Sequence, residues 1–321
     1  MNKICITGGA GFIGSHLVDF YIDLYPKAEM VVIDKMTYAA DKRNLSKHLN
    51  NENFLLIESD ICNSTNYANH LEGCDLLIHT AAESHVDKSF HNSTQFTMSN
   101  AYGTHVLLEA AHEKSIKKII HLSTDEIYGE NTSEAAHTED SPYNPTNPYA
   151  ASKAAAEMLT RSYIESFNMP ITIIRGNNIF GVRQYPEKII PRTISRLIRG
   201  LPAVIYGDGT NLRSYLAVND LCRAFQILHS QSFNGEIFNV GSKSEYSNKQ
   251  MITKFCDLLG KDSNKHIKYV TDRPFNDSRY LIDYSKILKL GWSQEVFIED
   301  QWEFVIEWYS KNSARYDSIE L

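Results

Sequence analysis

The sequence predicts a doubly wound α/β fold: a mostly parallel sheet with helices on both faces and a smaller α/β lobe laid against it. Three observations lead there. Short apolar runs alternate with amphipathic stretches through the first half. A glycine-rich turn joins the first run to the first amphipathic stretch. After about residue 176 the regular alternation breaks up, punctuated by Pro186, Pro191, Pro202, Gly207 and Gly209.

Taken in order, the expected strands are residues 3–7, 29–34, 54–59, 76–79, 118–123 and 171–175. Helical periodicity covers 13–25, 102–114, 149–167 and, late in the chain, 249–259. Strands separated by helices form βαβ units with right-handed crossovers. At 321 residues the chain is long enough for such a body with an appended lobe.

Composition narrows the function. A formal net charge of −7 argues against a general nucleic-acid surface. An anionic ligand must then be met by a local cluster of Arg and Lys. The five scattered cysteines form no C-x-x-C pair, which argues against a disulfide framework or a cysteine metal site; no metal is expected. The first strand begins almost at once and no apolar run approaches bilayer length, so a cytoplasmic protein without a leader is expected.

Thr7-Gly-Gly-Ala-Gly-Phe-Ile-Gly14 follows the first strand and opens the first helix, with Gly9, Gly11 and Gly14 fitting G-x-G-x-x-G. Small residues there let backbone approach a pyrophosphate whose charge meets the helix N-terminus. Gly8, Gly11, Phe12, Ile13 and Gly14 are the expected cofactor contacts. Asp34 ends the second strand, where a carboxylate accepts from a ribose diol and repels a 2′-phosphate, so NAD is expected over NADP. Lys35 and Arg43 nearby weaken that exclusion slightly; Lys35 and Thr37 join the cofactor set. Asp60 and Ile61 follow the third strand and can flank an adenine ring, while Ala81 and Ala82 follow the fourth. These features define an expected NAD-binding Rossmann domain over residues 1–175 with a returning segment near 214–242. The remainder, 176–321, is expected to be mainly the substrate lobe.

Tyr149 and Lys153, one turn apart, share a helix face. A phenol is a poor base at neutral pH, and a nearby ammonium with an oxidised nicotinamide ring would favour its phenolate. Thr124, Asp125 and Glu126 end the fifth strand, where open α/β sheets bind ligands. Adjacent carboxyl groups at such a place suit an acid and a base whose pKa values are pushed apart.

Five segments together carry a resemblance: 7–14, His79-Thr-Ala-Ala-Glu-Ser-His-Val-Asp-Lys-Ser89, Ser123-Thr-Asp-Glu-Ile-Tyr-Gly129, Asn147-Pro-Tyr-Ala-Ala-Ser-Lys153 and Tyr185-Pro-Glu-Lys-Ile-Ile-Pro191. The chain resembles the extended short-chain dehydrogenase/reductases over its whole length and, within them, the nucleotide-sugar 4,6-dehydratases. The Asp-Glu pair separates these from related 4-epimerases. The resemblance implies that Tyr149 takes the hexose C4 hydroxyl proton and that Glu126 removes the C5 proton. It further implies that Asp125 donates to the departing C6 hydroxyl, Thr124 bonds at C4 and Lys153 holds the nicotinamide ribose. NAD would be recycled in each turnover.

It also implies a set of substrate contacts, Ser84, His85, Asn178, Glu187, Lys188, Arg213, Asn239, Arg273 and Asn276, to which the need for clustered cations adds Arg192. Four of these are the sought cations, suited to a diphosphate. The segments 175–181, 211–215 and Arg273-Pro-Phe-Asn-Asp-Ser-Arg-Tyr280 look most like the dehydratase domain of plant UDP-rhamnose synthases. UDP-glucose is therefore the expected substrate and dTDP-glucose the alternative. The chain is expected to lack the fused epimerase/reductase of those plant proteins, so that another enzyme completes a deoxysugar such as rhamnose. A homodimer through a four-helix interface is implied as well. A 4-epimerase, a glucuronate decarboxylase and an inactive NAD-sensing scaffold are the competing readings.

Overall fold

The computed structural model describes residues 1–319. Its strands in chain order are β1 Lys3–Thr7, β2 Glu29–Asp34, β3 Phe54–Glu58, β4 Leu76–His79, β5 Ile119–Thr124, β6 Ile171–Gly176, β7 Asn178–Phe180, β8 Ala203–Tyr206, β9 Leu212–Ala217, β10 Ile237–Val240, β11 Glu245–Ser247 and β12 Ile267–Val270. The main sheet runs β10-β6-β5-β4-β1-β2-β3, with every pairing parallel. Strand order reverses between β1 and β4, and a crevice opens at the carboxyl ends there. β7, β9 and β11 form a second sheet, and β8 pairs with β12 in a third.

Side-chain alternation builds the two faces. In β1, Ile4 and Ile6 join one apolar cluster with Leu17, Val18 and Tyr21 of the first helix (Phe12–Leu24) and Phe225 of helix Val218–Ser230. Cys5 between them joins the opposite cluster with Leu107, Ala111 and Tyr163. Both faces are covered, so the strands read as continuous apolar runs. A third cluster, including Phe180, Ile194, Tyr215, Phe255 and Trp302, forms the core of the lobe.

The helix carrying Tyr149 and Lys153 spans Pro148–Phe167. Asn147 caps it by accepting from the Ala150 amide at 2.8 Å, Pro148 sits where no amide hydrogen is needed, and left-handed Asn168 ends it. Helix Gly103–Glu113 is preceded by a wider turn of π-type helix over Thr97–Tyr102, which the periodicity of 102–114 did not announce. That turn delivers Asn100, whose side chain clasps the Glu83 main chain on both sides at 2.8 and 3.0 Å and donates to Ser152 Oγ at 2.8 Å.

Two histidines in strands that read as apolar are polar core residues. His79 and His121 face each other across β4 and β5 with ring centroids 4.9 Å apart. Thr7, Thr104 and Thr160 hydrogen-bond them at 2.8–2.9 Å. Burial pushes His79 down to about 3, so it is neutral. Among the described residues no helix is long and apolar enough to cross a membrane.

Candidate active site

One cleft runs along the carboxyl ends of β1, β2, β4, β5 and β6, with the lobe as its far wall. The glycine turn forms one end. Gly8 is left-handed at φ +72°, and a Cβ there would lie 2.8 Å from the Ala81 backbone. A Cβ on Gly14 would meet the Gly8 carbonyl oxygen at 2.1 Å, so the turn closes only because that residue is glycine. Gly11 caps the first helix without a side chain, leaving its opening amides facing the cleft. This geometry fits a dinucleotide pyrophosphate.

Asp34 accepts from the Ala10 amide at 2.9 Å and the Met36 amide at 2.8 Å. Burial pushes its pKa up, while these amide bonds pull it down. Phe12, Ile13, Lys35, Thr37, Asp60, Ile61, Ala81 and Ala82 all line this end. Lys35 pairs with Asp60 at 2.5 Å, and the Arg43 Nε lies 2.8–2.9 Å from both Asp41 oxygens. Both nearby cations are thus already ion-paired.

At the middle of the cleft Thr124, Asp125, Glu126, Tyr149 and Lys153 come together. Asp125 accepts from Asn177 Nδ2 at 2.7 Å and from Thr124 Oγ1 at 3.2 Å. Burial, followed by the adjacent Glu126 charge, raises its pKa to about 7. Glu126 accepts from Asn147 Nδ2 at 3.2 Å and has Tyr280 Oη 3.5 Å away. Burial raises Glu126 too, but Lys188, Asn147 and Arg213 pull it back. The two carboxyl groups therefore sit in different environments, an arrangement able to serve as an acid and a base.

Lys153 lines the same stretch of the cleft. Its Nζ donates to the Leu122 carbonyl at 2.7 Å, and burial lowers its pKa to about 8. Burial and the Glu126 charge push the Tyr149 phenol up, with a bond from Thr124 acting the other way.

Ser84, His85, Asn178, Glu187, Lys188, Arg192, Arg213, Arg273 and Asn276 line the far end. Lys188 Nζ reaches the Ser84 carbonyl at 2.5 Å, bridging lobe and sheet. Burial and the cations around it lower His85 to about 3, so its imidazole is neutral. The structure corrects one expectation: Asn239 is fully buried outside the cleft. β10 pairs with β6 in a register that turns its side chain to the Tyr128 hydroxyl at 2.8 Å and the Asp283 carbonyl at 2.9 Å. Asn147, Asp277 and Tyr280 are among the cleft residues to which the sequence gave no role. All lie inside the quoted motifs, but their spacing alone gave no sign of which would face the carboxylates.

The sequence profile of the family described as GDP-mannose 4,6 dehydratase matches residues 5–303. The chain belongs to that family. Within the GDP-mannose 4,6 dehydratase family it is similar to a trifunctional UDP-glucose 4,6-dehydratase/UDP-4-keto-6-deoxy-D-glucose 3,5-epimerase/UDP-4-keto-L-rhamnose-reductase of Arabidopsis thaliana. The two are 44% identical over 99% of this chain and 48% of that protein. The chain thus spans about half the length of that plant relative. The dTDP-D-glucose 4,6-dehydratase of Mus musculus is 40% identical over 99% of this chain and 92% of its own length. Among solved structures, the dTDP-glucose 4,6-dehydratase of Streptomyces venezuelae, crystallised with NAD bound, superposes with a TM-score of 0.95. It is 35% identical, covering 99% of this chain and 100% of its own.

Proposed function

We propose that this chain is an NAD-dependent nucleoside-diphosphate-glucose 4,6-dehydratase that converts UDP-glucose to UDP-4-keto-6-deoxyglucose and water. The observation that carries the reading is the buried Asp125–Glu126 pair beside Tyr149, with one carboxyl raised to about 7. An acid and a base on adjacent residues suit removal of a C5 proton and protonation of a C6 hydroxyl, which an epimerase does not need.

NAD fits the glycine turn and Asp34, and the ion pairs of Lys35 and Arg43 leave neither cation free for a 2′-phosphate. When bound, NAD supplies the hydride acceptor at C4 and the donor at C6, so the cycle is redox-neutral. Tyr149 Oη, which the Lys153 ammonium and an oxidised nicotinamide ring would together ionise, takes the C4 hydroxyl proton, steadied by Thr124. Lys153, held by the Leu122 carbonyl, orients the ribose and adds positive charge near the phenol. The C4 ketone acidifies the C5 proton, which Glu126 removes. Asp125 gives its proton to the C6 oxygen, and water departs. Lys188, Arg192, Arg213 and Arg273 meet the diphosphate.

The likeness to the plant relative and the shared segments 175–181, 211–215 and 273–280 favour uridine. Turnover of UDP-glucose is expected to exceed that of dTDP-glucose by about tenfold in kcat/KM, roughly 1.4 kcal/mol of discrimination at the base methyl and the ribose 2′-hydroxyl together. Mass spectrometry of the product, lighter by one water, reads the reaction. Faster turnover of dTDP-glucose would reassign the nucleotide.

The same reading includes a homodimer. Met98, Tyr102, Met158 and Phe167 are about half exposed on neighbouring helices. Paired with their counterparts they form a four-helix interface. Sedimentation is expected to give a dimer at micromolar concentration, shifted towards monomer by Met158→Arg; a monomeric parent contradicts the pairing.

A further inference from the structure

A carboxylate on the sheet side of the cleft holds one of the lobe's cations. Arg273 Nε lies 2.5 Å from Asp87 Oδ1 in an ion pair; both atoms are shut off from solvent and neither has a hydrogen-bond partner. Asp87 sits in the first turn of helix Val86–His91, after β4, whereas Arg273 follows β12 of the lobe. The pair therefore spans the cleft, as the Lys188 bond to Ser84 does nearby.

The contact leaves the business end of the guanidinium available. Arg273 packs its plane near the Tyr206 ring, 5.4 Å from the centroid, and Arg192 lies 5.1 Å from the same ring. Arg192 also donates to the Tyr206 hydroxyl at 3.2 Å. Among the described residues no side-chain hydrogen bond uses Arg273 Nη1 or Nη2; its main-chain amide bonds Asp272. One edge and one face of the guanidinium are thus occupied, while the two terminal amino groups remain for a ligand in the cleft that Arg273 lines. A planar fork binds phosphate oxygens best when its orientation is already set, because less side-chain freedom is lost on binding.

We propose that Asp87 is a positioning residue for the nucleoside diphosphate: its charge holds the Nε edge of Arg273 on the far wall of the cleft so that the Nη1/Nη2 fork meets the phosphates. This rests on the nucleotide-sugar reading above. Charge alone makes the opposite forecast. A carboxylate near a diphosphate repels it, so removing the charge would tighten binding. The sign of the effect therefore separates orientation from simple electrostatics.

The test titrates UDP into the NAD-loaded protein by calorimetry and follows turnover in parallel. Asp87→Asn is expected to weaken UDP binding and raise KM by about tenfold while kcat stays within about twofold. Asp87→Glu recovers part of the loss. Arg273→Ala weakens UDP binding, and adding Asp87→Asn to it costs nothing more, since Asp87 acts through Arg273. Unchanged or tighter UDP binding in Asp87→Asn, or fully additive losses in the double variant, overturns the assignment. A parent that binds UDP yet dehydrates no glucose overturns the reaction alone, and the UDP affinities still decide Asp87. A parent that binds neither UDP nor dTDP overturns both.

Discussion

Replacing Asp125 by Asn and Glu126 by Gln together is expected to lower dehydration roughly 10⁴-fold while NAD stays bound, as removing both an acid and a base predicts. The amides keep the shape of the carboxyl groups and their hydrogen bonds to Asn177 and Asn147, so the cleft should not collapse. Tyr149 and Thr124 remain, so oxidation at C4 proceeds and reduced cofactor accumulates, visible in its near-ultraviolet absorbance. Wild-type turnover in this variant would falsify the assignment of acid and base.

The pH dependence has a definite sign. Asp125 must be protonated to give its proton to the C6 oxygen, and its pKa lies at about 7. kcat/KM therefore falls as pH rises through neutrality. Glu126 must be ionised, so activity also falls in acid, giving a bell. Stability follows the same carboxyl. A pKa raised from 3.8 to about 7 by folding means that Asp125 favours the fold at low pH and that this contribution is lost as pH rises through 7. At alkaline pH the Asn/Gln variant is accordingly expected to melt no lower than the parent. A rate profile level from neutral into alkaline pH counts against Asp125 as the acid.

Tyr149→Phe is expected to lower turnover about 10³-fold with nucleotide-sugar binding retained. The phenol is buried and pushed up by the carboxylates, so in the free protein it carries its proton at neutral pH. The variant loses only the oxygen that accepts the C4 proton; its ring still packs edge-on against Phe96, at 6.4 Å between centroids. The contrast with the double variant is diagnostic. Tyr149→Phe stops the cycle before C4 is oxidised, so no reduced cofactor appears on mixing with substrate. Accumulation equal to that of the double variant would move the C4 base elsewhere.

Local patterns made much of this protein legible in its sequence. Apolar runs and helical stretches placed six strands of the main sheet within a residue at each end, because burial on both faces leaves continuous apolar signatures. Gly8 to Gly14 announced the turn, since only glycine tolerates its φ and its close contacts. Tyr149 and Lys153 declared a shared face through helical spacing alone. Contacts between distant segments decided the rest. β10 was not read as a strand of the main sheet, and its register put Asn239 under Tyr128 instead of in the cleft. His79 in an apolar strand is paired on both ring nitrogens by Thr7 and Thr104, and His121 on Nδ1 by Thr160, all from separate elements. The two adjacent carboxyl groups differ because burial and the neighbouring charge raise Asp125, while Lys188, Asn147 and Arg213, all far along the chain, pull Glu126 back. Periodicity reports which face of an element is buried; the partners that set a charge or aim a guanidinium, as Asp87 does for Arg273, come from folding distant segments into one low-dielectric cleft.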